Sequence, residues 1–275
     1  MTARVIPRSC SPGKCAGVRL YVFFLILVIA PDANAWGLQT HVFIAQWVLA
    51  AVPLADPRFR AAVLRLPRLV LAGACLPDLA LAGRMLKLPT FRSAHQWSTL
   101  RRLVAGAGDE ERAIAVGYAS HLLADIIAHN RFVPEHERRI LEVPHLTHAL
   151  CEWAMDQHVS RGLRAQPGEL LAAEESALAD AAGSAFDCSD RLARRALGVL
   201  RRAERLLRWS HLPRVCAGVL GALDEHVAAR FDAYIGDAAN LVRRIDGLLA
   251  GLEPRWHADP EPGQIMAHEA PVTGG

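Results

Sequence analysis

An all-α fold is predicted, and three observations predict it. Leu, Ala and Arg dominate the composition while aromatic residues are only 6%, a balance that favours helix over sheet. No polar–apolar alternation survives beyond four residues, so no half-buried strand is legible. Apolar residues instead recur at three- and four-residue spacing, the stripe an amphipathic helix needs. A hydrophobic share of 52% with 21% charged residues excludes a disordered chain. The length of 275 residues fits one large or two small domains. No repeat period is visible, and residues 36–255 read as a single helical domain.

Residues 1–19 are cationic, and residues 20–30 form an apolar run of 11. Pro31 breaks it, and Ala33-Asn34-Ala35 supplies a small-x-small cleavage site. Residues 1–35 therefore match a secretory signal peptide, and the expected location is the periplasm or outside the cell. The alternative is a retained membrane anchor at residues 20–30, although a span takes about 20 residues. Cleavage after Ala35 makes Trp36 the first residue. Arg4, Arg8, Lys14 and Arg19 against Asp32 account for the whole net charge of +3. The remainder is neutral, which gives no nucleic-acid footprint. Export leaves Cys75, Cys151, Cys188 and Cys216 where disulfides are allowed. Four cysteines permit three pairings, with Cys188–Cys216 preferred; four buried thiols are the other reading.

Along the chain, residues 38–52 carry apolar positions at Val42, Ile44, Ala45, Val48 and Leu49. Asp56-Pro57 opens a second helix to about Leu66. Residues 68–82 are apolar, interrupted by Gly73 and Pro77-Asp78. Residues 83–97 read as a loop. Asp109 caps a long helix to about Asn130, with acids in its first turn. Pro144 opens the next, to about Gly162. Amphipathic helices are expected at 167–182, 187–209, 213–235 and 237–252. The segment after about 165 reads as scaffold. The tail after Glu253, in particular 256–275, is rich in Pro and Gly and reads as flexible.

The chemistry concentrates in histidine. All 12 lie after residue 35, and imidazole is the commonest protein metal ligand. His121-x3-Asp125-x3-His129 places three side chains on one face of one helix. Nitrogen, carboxylate and nitrogen on one stripe suit zinc. The next helix repeats the spacing with His148-x3-Glu152. His145 competes with His148, but position 149 is Ala. The stripe lies among Leu122, Leu123, Ile126 and Ile127, where an unpaired carboxylate is costly. Upstream stand Trp36 and His41, then Asp78 after Pro77, then His95. Taken alone, Asp78 reads as a helix cap and His95 as a loop histidine.

Their order does more than any one motif. Trp-x4-His, Pro-Asp, His, His-x3-Asp-x3-His and His-x3-Glu after a signal peptide resemble the zinc-dependent phospholipase C family. That family is related in architecture to the S1/P1 single-strand nucleases. The resemblance covers roughly residues 36–160 and implies a multi-helix bundle of that type holding three zinc ions. It implies Asp78, His95, His121 and Asp125 around one ion. The Trp36 amine and carbonyl, His41 and a bridging Asp125 hold a second, and His129, His148 and Glu152 a third. The implied reaction is phosphodiester hydrolysis by a zinc-bound hydroxide, with Asp78 as candidate general base. Leu79 and Gln39 stand where phosphatidylcholine-cleaving members carry an aromatic and an acid, so no choline cage is visible. The expected substrate is a phospholipid or another phosphodiester, with no particular headgroup. Peripheral membrane contact through the Arg-rich helix 187–209 is weighed against a solvated face, and the solvated face is preferred. No protein partner is evident. A nuclease and a non-catalytic zinc-binding protein are the alternatives.

Overall fold

The computed structural model describes residues 37–106, 108–139 and 144–258, and the signal-peptide reading and Trp36 lie outside them. Among the described residues every regular element is a helix. The chain opens with α1 (Leu38–Ala51), α2 (Pro57–Arg65), α3 (Pro67–Gly73) and α4 (Leu79–Leu86). A 3₁₀ turn (Pro89–Ser93) and α5 (Trp97–Val104) precede the long α6 (Asp109–Ile127). A π-helical turn (Ala128–Phe132) leads into α7 (Val133–Arg139), and α8 (Pro144–Val159) comes next. The rest comprises α9 (Pro167–Ala173), α10 (Glu175–Phe186), α11 (Asp190–Ser210), α12 (Leu212–Leu223), α13 (Val227–Val242) and α14 (Ile245–Leu249).

Local chemistry sets the boundaries. Asp56 caps α2 by accepting the Arg58 N–H at 2.8 Å, with Pro57 in the first helical position. Ser189 caps α11 by accepting from the Leu192 N–H. Gly108, not Asp109, is the N-cap residue of α6; Asp109, Glu110 and Glu111 fill its first turn, where negative charge suits the helix dipole.

The core is organised around α6. From Ala113 to Ile127 every residue of this helix is buried. It is covered by α1, α2, α3, α5, α13 and α14, so it is apolar all round rather than on one stripe. Two glycines set its closest crossing. A Cβ on Gly117 would stand 1.9 Å from the Val70 carbonyl oxygen, and one on Gly73 would stand 2.4 Å from the Ile114 carbonyl oxygen. Only glycine lets α3 and α6 approach backbone to backbone.

Several expected boundaries move. The apolar stretch 68–82 is interrupted as expected, one helix ending at Gly73 and the next starting at Leu79, after Pro77, whereas other boundaries differ. The expected loop 83–97 contains the end of α4 and the 3₁₀ turn. The helix expected over 213–235 breaks after Leu223, where the Asp224 carboxylate accepts the His226 N–H at 3.0 Å. The boundary expected between residues 235 and 237 lies inside α13. Cys75, Cys151, Cys188 and Cys216 are free thiols, so the preferred Cys188–Cys216 bridge is not formed. Cys75, Cys151 and Cys216 are buried and act as small apolar residues. The first part of the tail is packed: Ala258 is buried, and the Asn130 side-chain amide donates to the His257 carbonyl at 3.1 Å.

Candidate metal centre

The site is built where the α3–α6 crossing ends. Because Gly117 lets α3 lie close, the Ala74 carbonyl reaches α6 one turn further on. There it accepts the Nδ1–H of His121 at 2.7 Å. A carbonyl can only accept, so the proton sits on Nδ1 and Nε2 is left as the ligand atom. His121 Nε2 stands 2.9 Å from Asp125 Oδ2, one turn along the same helix.

Two further imidazoles converge on the same carboxylate. His41 Nε2 of α1 lies 3.3 Å from Asp125 Oδ1, and His95 Nε2 lies 3.3 Å from Asp125 Oδ2. His41 also stacks on His121 with ring centroids 3.5 Å apart. His95 occupies the turn between the 3₁₀ element and α5, and its neighbours are anchored. The Tyr118 hydroxyl of α6 donates to the Ala94 carbonyl, and the Thr99 hydroxyl donates to the Ser93 carbonyl at 2.7 Å. This loop histidine is therefore held from both sides, and it is mostly buried.

Asp78 stands at the N-cap position of α4, yet its side chain makes no capping bond. The bland reading as a helix cap is thus not what the carboxylate does. It is buried and its Oδ2 has no hydrogen-bond partner. Two donor sets meet within 4.8 Å: His41, Asp78 and His121, and His95, His121 and Asp125. They overlap at His121.

His129 ends the expected stripe, and Asp125 is the charged group that acts on it most strongly. This histidine lies in the π-helical turn, which adds a residue to the ring and rotates the side chains beyond it. His129 is buried and faces α8, its ring 5.8 Å from that of His148. His148 Nε2 is 2.6 Å from Glu152 Oε1. These three form a second, looser group beside the first. The His145 side chain lies outside the described residues.

The electrostatics fit cations. Burial, seconded by His121, drives the His41 pKa well below its ordinary value, leaving the neutral imidazole that metals bind. Burial likewise lowers His129 to about 3. Burial raises Asp78 to about 6 and Glu152 to about 7. Asp125 goes the other way. Burial opposes its charge, but His121 and His41 hold the carboxyl well below the usual range. His121 is raised in turn: burial works against its charge, and Asp125 overrides burial. Both oxygens of Asp125, Asp78 Oδ2, His129 Nε2 and Glu152 Oε1 are buried without hydrogen bonds. Orphaned buried acceptors are expensive, and divalent cations would satisfy them.

Sequence reasoning missed Asp156, Arg208 and Glu204. Asp156 continues the His148, Glu152 spacing by one more turn, a signal that was available. Its Oδ1 accepts the Thr40 N–H and the Thr40 hydroxyl, both at 2.9 Å. It therefore caps α1 from another helix, one residue before His41. Gly37, the N-cap residue, leaves room for this, since a Cβ there would meet the Asp156 carboxylate at 2.3 Å. Arg208 of α11 donates to Asp156 Oδ2 at 2.9 Å and lies 3.0 Å from the buried Glu204. The segment after 165 is thus more than scaffold. Asp156→Ala is expected to cost about 2 kcal/mol of stability, through a lost cap and the loss of one of the two carboxylates paired with Arg208. Asp156→Asn still accepts from Thr40 and is expected to cost less than half of that. Urea unfolding of the two variants checks the order.

Buried imidazoles and carboxylates drawn from four segments of an all-helical fold define a zinc-type donor set. The family model for zinc dependent phospholipase C matches residues 40–188, more than half of the chain, and the chain belongs to that family. The match spans every candidate ligand from His41 to Glu152. Membership makes the protein a phospholipase C-like hydrolase that uses zinc. No curated protein and no solved structure matches it.

Proposed function

We propose that the protein is an exported hydrolase of lipid phosphodiesters, with three zinc ions held by the clustered side chains. The observation that carries this reading is Asp125: wholly buried, without hydrogen bonds, and within 3.3 Å of three imidazoles. Asp78, His95, His121 and Asp125 would hold one ion. His41 and Asp125 would hold a second with the Trp36 amine and carbonyl, and His129, His148 and Glu152 a third. Zinc supplies Lewis acidity, which makes water nucleophilic near neutral pH and offsets the charge on phosphate oxygens.

The chain's own residues do the rest. His121 is oriented by Ala74, and His95 by the Tyr118 and Thr99 anchors on its neighbours. Asp78 is spared from capping duty, so its carboxylate can accept a proton from water as well as bind metal. Burial to about 6 places that carboxyl nearer to neutrality than an exposed aspartate. Leu79 and Gln39 are both buried, and the Gln39 amide donates to Gln166 at 3.0 Å, so these two residues form no choline cage.

The test is elemental analysis of the processed protein, followed by a substrate panel. About three zinc ions per chain are expected, with chelator abolishing phospholipid hydrolysis and added zinc restoring it. About two ions would remove the Trp36–His41 site from the reading. Cleavage of single-stranded DNA in place of lipid would assign the nuclease branch. Full zinc without hydrolysis of either substrate would leave a zinc-binding protein that is not an enzyme.

A further inference from the structure

Eight large apolar side chains are exposed among the described residues, and five fall between residues 206 and 223: Leu206, Trp209, Val215, Val219 and Leu223. The last three recur at four-residue spacing along α12, so they share one outer face. Their exposures run from 43% to 63%. The opposite face of α12, with Leu212, Cys216 and Leu220, is buried, and the helix packs along α8. In twelve residues α12 holds one charge, Arg214. A helix this apolar is normally covered on every side.

The charge along this stretch is mainly basic, with Asp224, paired to Arg230, and the exposed Glu225 following its end. Between residues 195 and 223 the only acidic side chain is Glu204, and it is buried. Arg202, Arg205 and Arg214 are exposed in the same stretch. Exposed aliphatic residues and a tryptophan, with exposed arginines on the same two helices, match helices lying in a lipid–water interface. At 12 residues, about 18 Å long, α12 is too short to cross a bilayer.

The patch also adjoins the candidate site. Arg208, the residue before Trp209, donates to Asp156. Asp156 in turn caps the start of α1, beside His41. The α8 helix beneath α12 carries His148 and Glu152.

We infer that the outer face of α12 with the end of α11 docks the enzyme on bilayers bearing anionic headgroups. The exposed arginines supply the long-range attraction and the α12 face the insertion. The choice of a lipid surface over an acidic protein rests on the proposed function, in which the substrate is itself a lipid.

Sedimentation of the full chain with vesicles tests this, without requiring turnover. Wild type is expected to co-sediment with phosphatidylcholine–phosphatidylglycerol vesicles and to be released by salt. Val219→Glu with Leu223→Glu is expected to weaken that binding by roughly tenfold or more. Both positions are exposed, so thermal unfolding should match wild type, and cleavage of a monomeric short-chain lipid should be unchanged. Arg202→Glu with Arg205→Glu is expected to remove the preference for the anionic vesicles. Wild type left in the supernatant, or a double glutamate variant that binds equally well, would overturn the inference. So would a concentration-dependent dimer that the glutamates dissolve without changing vesicle binding. Wild type that binds vesicles but hydrolyses none of their lipid would overturn the proposed substrate and support the docking face.

Discussion

Asp125→Asn is expected to lower phosphodiesterase activity by about a thousandfold, equivalent to about 4 kcal/mol of transition-state stabilisation. The substitution keeps shape and volume and removes only the charge. The carboxylate is fully buried and faces His41, His95 and His121 from its two oxygens. An amide cannot bridge two cations, and its NH2 would point a donor at a ligand nitrogen. Zinc content should fall by one ion or more. Stability separates this loss from misfolding. Zinc binds the folded state, so it should raise the unfolding temperature of wild type. The variant should unfold near the temperature of chelated wild type and gain little from added zinc. Retained activity with full zinc would sink the bridging role of Asp125.

Much of this candidate centre was legible because several of its candidate ligands lie at helical spacing. His121 and Asp125 are one turn apart on α6, and His148 and Glu152 one turn apart on α8, so periodicity alone places each pair on one face. Periodicity did not show that the α-helical ladder ends at Ile127 and that His129 stands in a π turn, its ring 5.8 Å from that of His148. A π turn leaves no pattern in apolar spacing, since it depends on a single extra residue in the ring. Asp78 was ambiguous for a related reason. Pro77-Asp78 ahead of an apolar run is a common way to start a helix, and only the tertiary structure shows that the carboxylate turns away from the α4 N-terminus.

The remaining misses depend on contacts distant in sequence. Asp156 meets Thr40 across 116 positions, and Arg208 meets Asp156 across 52. Neither pairing has a local signature, although Asp156 stood in plain spacing with Glu152. The break between α12 and α13 was missed because apolar spacing runs on through Leu223 and gives no sign that Asp224 ends the helix. The side-chain bond that makes Asp224 a stop is visible only in three dimensions. The disulfide preference rested only on both cysteines lying near helix ends, and both are free thiols. Helix ends are frequent, and a bridge needs Cα atoms within about 7 Å.

Gly117→Ala should have the largest effect on stability, with activity lost as a consequence. Helix propensity alone favours the change, since alanine in mid-helix gains up to about 1 kcal/mol over glycine. Packing opposes it far more strongly. The new methyl would lie 1.9 Å from the Val70 carbonyl oxygen and 2.7 Å from the Ala74 nitrogen, both backbone atoms of the α3 region. Neither can rotate away, so α3 and α6 must separate by about 1.5 Å to reach ordinary contact. Overpacking in a rigid core costs roughly 1–3 kcal/mol or more, and a backbone clash lies at the upper end, so about 4 kcal/mol is expected. In a domain of this size that lowers the unfolding temperature by roughly 8–16 °C. The separation would also draw the Ala74 carbonyl from His121, whose Nδ1–H donates to it at 2.7 Å. The imidazole would lose its fixed orientation, and zinc should be held more weakly even below the melting temperature. Gly198→Ala is the matched control. Gly198 lies within α11 with open space where its Cβ would stand, so the same substitution should stabilise by about 0.5–1 kcal/mol. Thermal unfolding and zinc content of the two variants decide the matter. If Gly117→Ala melts with Gly198→Ala, the close α3–α6 crossing does not position His121, and the orientation of the central ligand must come from elsewhere.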